Sequence, residues 1–196
     1  MRSTRLVTTL AAVCALAPAL RAEVRWQLDC KPGSLGTLTV RGVEGPGTYA
    51  YLTLTVSNAC GRDVPVSLGV WAETDVPGRT YRGTVDPVVH AEVVRRTGKQ
   101  WKTLTEARES PLADGESVEI LVSLGRIDPN VDLLDVHVLG LSDRVYRDRG
   151  RTLVEDKALA IHVTRKGDEF TRQHDLLRMK GVRWVVLAPA RELRRS

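Results

Sequence analysis

The chain has 196 residues, a formal net charge of +5 and only 5% aromatic residues. A basic chain suggests a nucleic-acid ligand, but the basic excess lies in the first 22 and the last eight residues, and the charges between them balance. Few aromatic side chains are present to stack on bases. Composition and charge therefore argue against a nucleic-acid-binding protein.

Residues 1–22 have the layout of a secretory signal peptide. Arg2 and Arg5 precede an apolar run over residues 6–16, and Ala22 offers a cleavage site. The alternative is a frayed amphipathic N-terminus. The run is too short to span a bilayer, and no later stretch reaches that length. We therefore expect a secreted or periplasmic protein with no membrane span, comprising one domain over residues 23–188 and a basic tail over residues 189–196.

The first half of the mature chain is predicted to consist mainly of β-strands. Alternating apolar residues predict strands over 24–30 and 38–40, with a turn at Lys31-Pro32-Gly33 between them. Residues 49–58 are the cleanest strand, with Ala50, Leu52, Leu54 and Val56 on one face. Further strands are predicted over 64–72 and, at a sheet edge, over 80–82.

One short helix interrupts the strands. Asp86 suits the N-cap, Pro87 suits the first helical position, and Gly98 supplies a C-terminal stop. Val89 and Val93 lie on one helical face. We therefore predict a helix over about 88–97, followed by an irregular polar segment over 101–114.

The second half returns to strands. Alternation predicts strands over 118–124, 134–138, 159–163 and 182–186, with a charged loop over 144–151. Because strands do not alternate with helices, we predict an all-β, mainly antiparallel fold, an immunoglobulin-like β-sandwich with one short helix inserted between strands. A closed barrel is the alternative.

The order of several short motifs resembles that of an uncharacterised family of exported bacterial single-domain β-rich proteins. The motifs are residues 51–58 (YLTLTVSN), 87–98 ending in RRTG, 114–116 (DGE), 138–142 (VLGLS), 166–170 (KGDEF) and 183–185 (RWV). No activity is assigned to that family, so the resemblance implies export and a single domain only. Paired cysteines do not belong to its pattern.

Cys30 and Cys60 are the cysteines of the mature chain. In an oxidising compartment an even pair predicts a disulfide. Two buried free thiols are the alternative.

Three aromatic residues are candidates for a binding surface. Tyr49 and Tyr51 share one face of their strand, and Trp71 lies on the corresponding face of the next strand. Exposed together, the rings would suit a sugar or a protein partner. The alternative is an interior position under the helix.

The densest polar cluster is a candidate polar loop that contains Asp168, Glu169, His174 and Asp175. Two carboxylates and a histidine have the chemistry of a cation site or an acid–base pair, but a solvated hairpin loop is the favoured interpretation, because nothing in the spacing demands a site. The histidines are not at metal-ligand spacing, and no catalytic motif is present. We therefore expect no catalytic residue, no metal and no cofactor.

These patterns favour an exported non-catalytic module that binds a protein or glycan partner of the envelope or extracellular space. One alternative is a hydrolase or metal-dependent enzyme that uses residues 168–175. The other is a carbohydrate-binding module that uses Tyr49, Tyr51 and Trp71. Fold alone does not choose among them.

Overall fold

The structure is a computed structural model that describes residues 22–148, 151–155, 157–165, 177–187 and 191–192. The predicted signal peptide, except for Ala22, lies outside the described residues. The described elements are β1 (Ala22–Gln27), β2 (Asp29–Gly42), β3 (Gly45–Ser57), β4 (Gly69–Thr74), β5 (Thr80–Arg82), α1 (Pro87–Thr97), β6 (Ser117–Arg126), β7 (Leu133–Leu139), β8 (Ser142–Asp148), β9 (Arg151–Glu155), β10 (Lys157–Arg165), β11 (Leu177–Val186) and β12 (Arg191–Glu192).

The strands form three sheets, and the named strands pair antiparallel throughout. A three-stranded sheet has the order β2-β3-β6, a five-stranded sheet has the order β11-β10-β7-β4-β5, and a four-stranded sheet has the order β1-β8-β9-β12. The predicted all-β, mainly antiparallel fold is confirmed. No helix in the described part of the chain is long and apolar enough to cross a membrane.

Strand β3 lies at the centre of the three-stranded sheet, between β2 and β6. Its predicted apolar face is fully buried, with Leu52, Leu54 and Val56 at 0% exposure. These side chains join one hydrophobic core with the inner faces of β4, β7 and β10. The three-stranded and five-stranded sheets therefore share a single main core.

Helix α1 covers the opposite face of the three-stranded sheet. Val89 and Val93 pack there against Leu38, Tyr49 and Leu121 in a second, smaller core. Gly98 ends the helix in the left-handed conformation, at a φ of 66° that glycine adopts without strain. The predicted helix and its C-terminal stop are confirmed.

Asp86 fixes the start of α1 and ties it to the rest of the fold. One carboxylate oxygen accepts hydrogen bonds from the N–H groups of Val88 and Val89, at 3.0 and 3.1 Å. The other accepts from the N–H of Val43, at 2.8 Å, in the turn that joins β2 to β3. The predicted N-cap therefore also anchors the helix to a turn far away in sequence.

The predicted turn at Lys31-Pro32-Gly33 is wrong. β2 continues through it, and the pairing with β3 merely shifts register between Pro32 and Leu35. Thr53 explains the difference, because its buried hydroxyl accepts the N–H of Ser34 at 2.7 Å and holds the irregular segment on the sheet. A partner in the next strand thus replaces a local turn.

Three other regions differ from the prediction. Most of the charged loop predicted over 144–151 belongs to β8 and β9, which pair with each other. The strand predicted over 64–72 begins only at Gly69, and Val64 instead forms an isolated bridge with Leu112. Residues 191–192 of the predicted tail pair with β9.

Candidate binding surface on strand β11

The predicted aromatic surface is wrong for its two tyrosines. Tyr49 is fully buried in the core beneath α1, and its hydroxyl donates to the carbonyl of Gly45 at 2.7 Å. Tyr51 packs against the same core and is half-buried. The two tyrosines therefore lie in the interior under the helix, as in the alternative interpretation, because the apolar side of α1 packs on this face of β3.

Trp71 lies in a different sheet from the tyrosines. It pairs with His137 across β4 and β7, and the two rings stack with centroids 4.9 Å apart and planes 21° apart. The three predicted aromatic residues therefore do not form one surface. The carbohydrate-binding alternative loses the platform on which it depended.

The predicted disulfide between Cys30 and Cys60 is not formed, and both thiols are free. Cys30 pairs with Val56 on β3, whereas the Cys60 thiol donates to the carbonyl of Gln27 at 3.2 Å. Burial raises the pKa of the Cys30 thiol to about 12.

The candidate polar loop lies outside the described residues, so Asp168, Glu169, His174 and Asp175 have no described geometry. Within the described side chains, no group of three or more His, Cys, Asp or Glu residues is placed to hold a metal ion. His162 contacts Asp135 at 2.5 Å on an exposed face of the five-stranded sheet.

A cleft of about 510 Å³ lies beside the start of β6 and is lined partly by Trp101, Glu106 and Glu119. Glu119 pairs with Lys99, whose ammonium lies 4.5 Å from the centre of the Trp101 ring. Hydrogen bonds from Thr103 lower the pKa of the Glu106 carboxyl. Two of the cleft carboxylates are thus engaged with neighbouring protein groups, and we assign no reaction to the cleft.

Strand β11 carries a row of exposed large apolar side chains, the longest among the strands whose side chains are described. It forms one edge of the five-stranded sheet and pairs with β10. The large exposed hydrophobic side chains on it are Met179 (36%), Val182 (47%), Trp184 (36%) and Val186 (53%). Monomeric proteins rarely leave such a row uncovered.

The exposed apolar row on β11 lies on the same face of the five-stranded sheet as the main core. Trp184 pairs with Leu159 and Val182 pairs with Ile161, so each couple shares one face of the sheet. The two β10 side chains are almost fully buried in the core, whereas their β11 neighbours are about four-tenths exposed. Burial thus falls off between β10 and β11, and the apolar layer is left open at the edge.

The same two strands are strongly basic. β11 contains Arg178, Lys180 and Arg183, all exposed. β10 adds the half-buried Lys157 and the buried Arg165, which donates to the carbonyls of Asp128 and Pro129. Neither strand contains an acidic residue. The edge therefore combines an apolar face with a positive charge that its own strands do not neutralise.

Sequence reasoning identified the strand over 182–186 but not its place in the sheet. The signal in the sequence is a stretch from Arg178 to Val186 that mixes basic and apolar residues and contains no acidic residue. That pattern does not reveal strand order, because edge and interior positions follow from long-range pairing.

No protein-family model matches the chain, and comparisons with curated proteins and with solved structures find no match.

Proposed function

We propose that this protein is an exported, non-catalytic, immunoglobulin-like β-sandwich module that binds a protein partner in the cell envelope or extracellular space. The exposed apolar row on β11, Met179, Val182, Trp184 and Val186, carries the proposal. The signal-peptide pattern of residues 1–22 and the resemblance to an exported family support the compartment.

The row has the composition of a binding surface rather than of ordinary protein exterior. Trp, Met and Arg are enriched at protein interfaces, and Trp and Arg dominate the residues that contribute most binding energy. Trp184, Met179 and Arg183 lie together on this strand. An apolar centre with basic residues beside it fits a protein partner better than a sugar, which needs rings exposed in one plane.

Site-specific photo-crosslinking in intact cells tests the proposal. The variant Val182→p-benzoylphenylalanine places the crosslinker in the apolar row, and Trp71→p-benzoylphenylalanine places it on the opposite face of the same sheet. Val43→p-benzoylphenylalanine is the matched control, since Val43 is 74% exposed in a turn distant in sequence from β11.

We expect one discrete crosslinked partner from position 182, in the exported fraction, and none from position 43. Adducts from position 71 alone would show that the partner binds the opposite face of the sheet, which would reject the β11 surface but not a binding function. No discrete adduct from any of the three positions would contradict a binding module.

A further inference from the structure

We propose that the partner adds an extended segment as a new strand along the free edge of β11, and that this segment alternates acidic with apolar residues. The inference rests on the proposed function and specifies its partner. It follows from the backbone, the side-chain faces and the charge of β11.

The backbone of β11 is open to another strand. β11 runs for ten residues, from Leu177 to Val186, without a proline. No described strand pairs with its side away from β10, although β11 also contacts β2 of the three-stranded sheet. An edge of this kind presents unpaired N–H and C=O groups that an extended peptide satisfies by strand addition. The other edge of the sheet, β5, has only three residues and offers far less.

The two edges of the three-stranded sheet, β2 and β6, are less suited to strand addition. Backbone hydrogen bonds with Thr84 and Lys102 already occupy the outer side of β6. β2 contains Pro32, which lacks an N–H donor, and its pairing is irregular between Pro32 and Leu35. Such interruptions protect natural edges. The pairing of β11 with β10 also shifts register, beside Lys180. β11 has no proline and no described strand on its outer side, so of the long edges it is the best suited to an added strand.

The two faces of β11 define the side chains of the added segment. Met179, Val182 and Trp184 lie on the face that continues the main core. Apolar residues of an added strand on that face would extend the core layer by one strand. Alternate residues of the segment would lie on the opposite face, where Arg183 and Arg178 are exposed.

Charge selects an acidic segment and disfavours a second copy of this chain. β11 has three exposed basic residues and no acidic residue. A second β11 paired along the same edge would bring together two strands that each have three basic and no acidic residues, and opposed like charges destabilise strand pairs. Carboxylates at alternate positions would instead pair with these basic groups and steer association.

An anionic lipid surface also attracts basic and apolar residues. A membrane, however, offers no hydrogen-bond partners to the free backbone edge, and unpaired backbone groups are costly in lipid. A peptide strand satisfies both the side chains and the backbone, so we favour it.

A designed peptide tests the inference with the full mature chain. The probe is a fluorescein-labelled peptide of alternating Val and Glu, as long as β11, and the matched probe has Lys in place of Glu. Fluorescence anisotropy measures affinity, and amide hydrogen exchange measures protection of residues 178–186. We expect the Glu peptide to bind, to weaken with added salt, and to protect alternate β11 amides.

Variants of the protein locate the contact. Arg183→Glu is expected to weaken the Glu peptide by about tenfold, as close interfacial charge pairs do, and Trp184→Ala is expected to weaken it comparably. Arg82→Glu is the matched control, since Arg82 is an exposed arginine at the opposite edge of the same sheet, and it should leave affinity unchanged. Circular dichroism confirms that each variant is folded.

Several outcomes would overturn the inference. They are absence of Glu-peptide binding, equal binding of the Lys peptide, binding without amide protection on β11, and an equal loss in Arg82→Glu. Binding to phosphatidylglycerol vesicles without binding to the Glu peptide would assign the edge to a membrane instead. A partner crosslinked at position 71 while the peptide fails would reject strand addition but retain the binding module.

Discussion

Replacing Asp86 by Ala should destabilise the domain far more than removal of an ordinary N-cap. Asp86 is 5% exposed and accepts three backbone hydrogen bonds, two at the start of α1 and one from Val43. Loss of an N-cap costs about 1–2 kcal/mol, and a hydrogen bond to a charged acceptor contributes about 1.5–3 kcal/mol. Allowing for non-additivity, we expect the free energy of unfolding to fall by about 3–4 kcal/mol.

Urea denaturation followed by circular dichroism measures this loss. Asp63→Ala is the matched control, because Asp63 is exposed and such surface changes usually stay within about 0.5 kcal/mol. Asp86→Asn keeps an oxygen acceptor for the helix and should lose less than Asp86→Ala. An Asp86→Ala variant within about 1 kcal/mol of the parent would show that the tie between α1 and the β2–β3 turn does not stabilise the fold.

Three further predictions concern the thiols, Tyr49 and processing. Burial raises the folded pKa of the Cys30 thiol to about 12, so the protonated thiol stabilises the folded state fully at pH values below the unfolded pKa. This stabilisation is lost as pH rises toward the folded pKa. Cys30→Ser should therefore flatten the alkaline fall in the free energy of unfolding. At neutral pH in the native, unreduced protein, a thiol reagent should label Cys60 before Cys30, and mass spectrometry showing a Cys30–Cys60 bridge would contradict the free thiols. Tyr49→Phe removes the hydrogen bond to Gly45 and should cost about 1–2 kcal/mol in urea denaturation; no loss would show that the bond is energetically neutral. The exported protein should begin near Glu23, and N-terminal sequencing that reads Met1 would contradict the signal peptide.

Local patterns predicted the elements that local physics decides. The period-two alternation of Leu52, Leu54 and Val56 marked β3 because burial on one face enforces that period. Asp86 and Gly98 marked the ends of α1 because capping is a property of a few neighbouring residues. The hydrogen bond from Val43 to Asp86 was not foreseeable, since it joins residues distant in the chain.

The errors arose where a distant partner overrides a local signal. Lys31-Pro32-Gly33 has the composition of a turn, but Thr53 on the neighbouring strand holds the segment in the sheet. Tyr49 and Trp71 were assigned to one surface from strand parity alone, yet strand order places them in different sheets. Parity gives the face of a strand and says nothing of which sheet the strand joins.

The candidate site depends entirely on strand order. The sequence shows a stretch that mixes apolar and basic residues. Only the pairing with β10, with its register shift, places Met179 on the face of Val182 and Trp184 and places β11 at an edge. The apolar side chains of β10 are buried and those of β11 are exposed. This difference follows from how the sheets pack and is likewise not readable from the sequence.

The most direct test of the account compares two tryptophans on the same sheet. With the partner identified by crosslinking, the dissociation constant is measured for the parent chain, for Trp184→Ala and for Trp71→Ala. We predict that Trp184→Ala weakens binding by more than about tenfold, as loss of a central interface tryptophan does, while Trp71→Ala leaves it unchanged. The reverse order, or equal affinity for all three chains, would contradict a binding surface on β11.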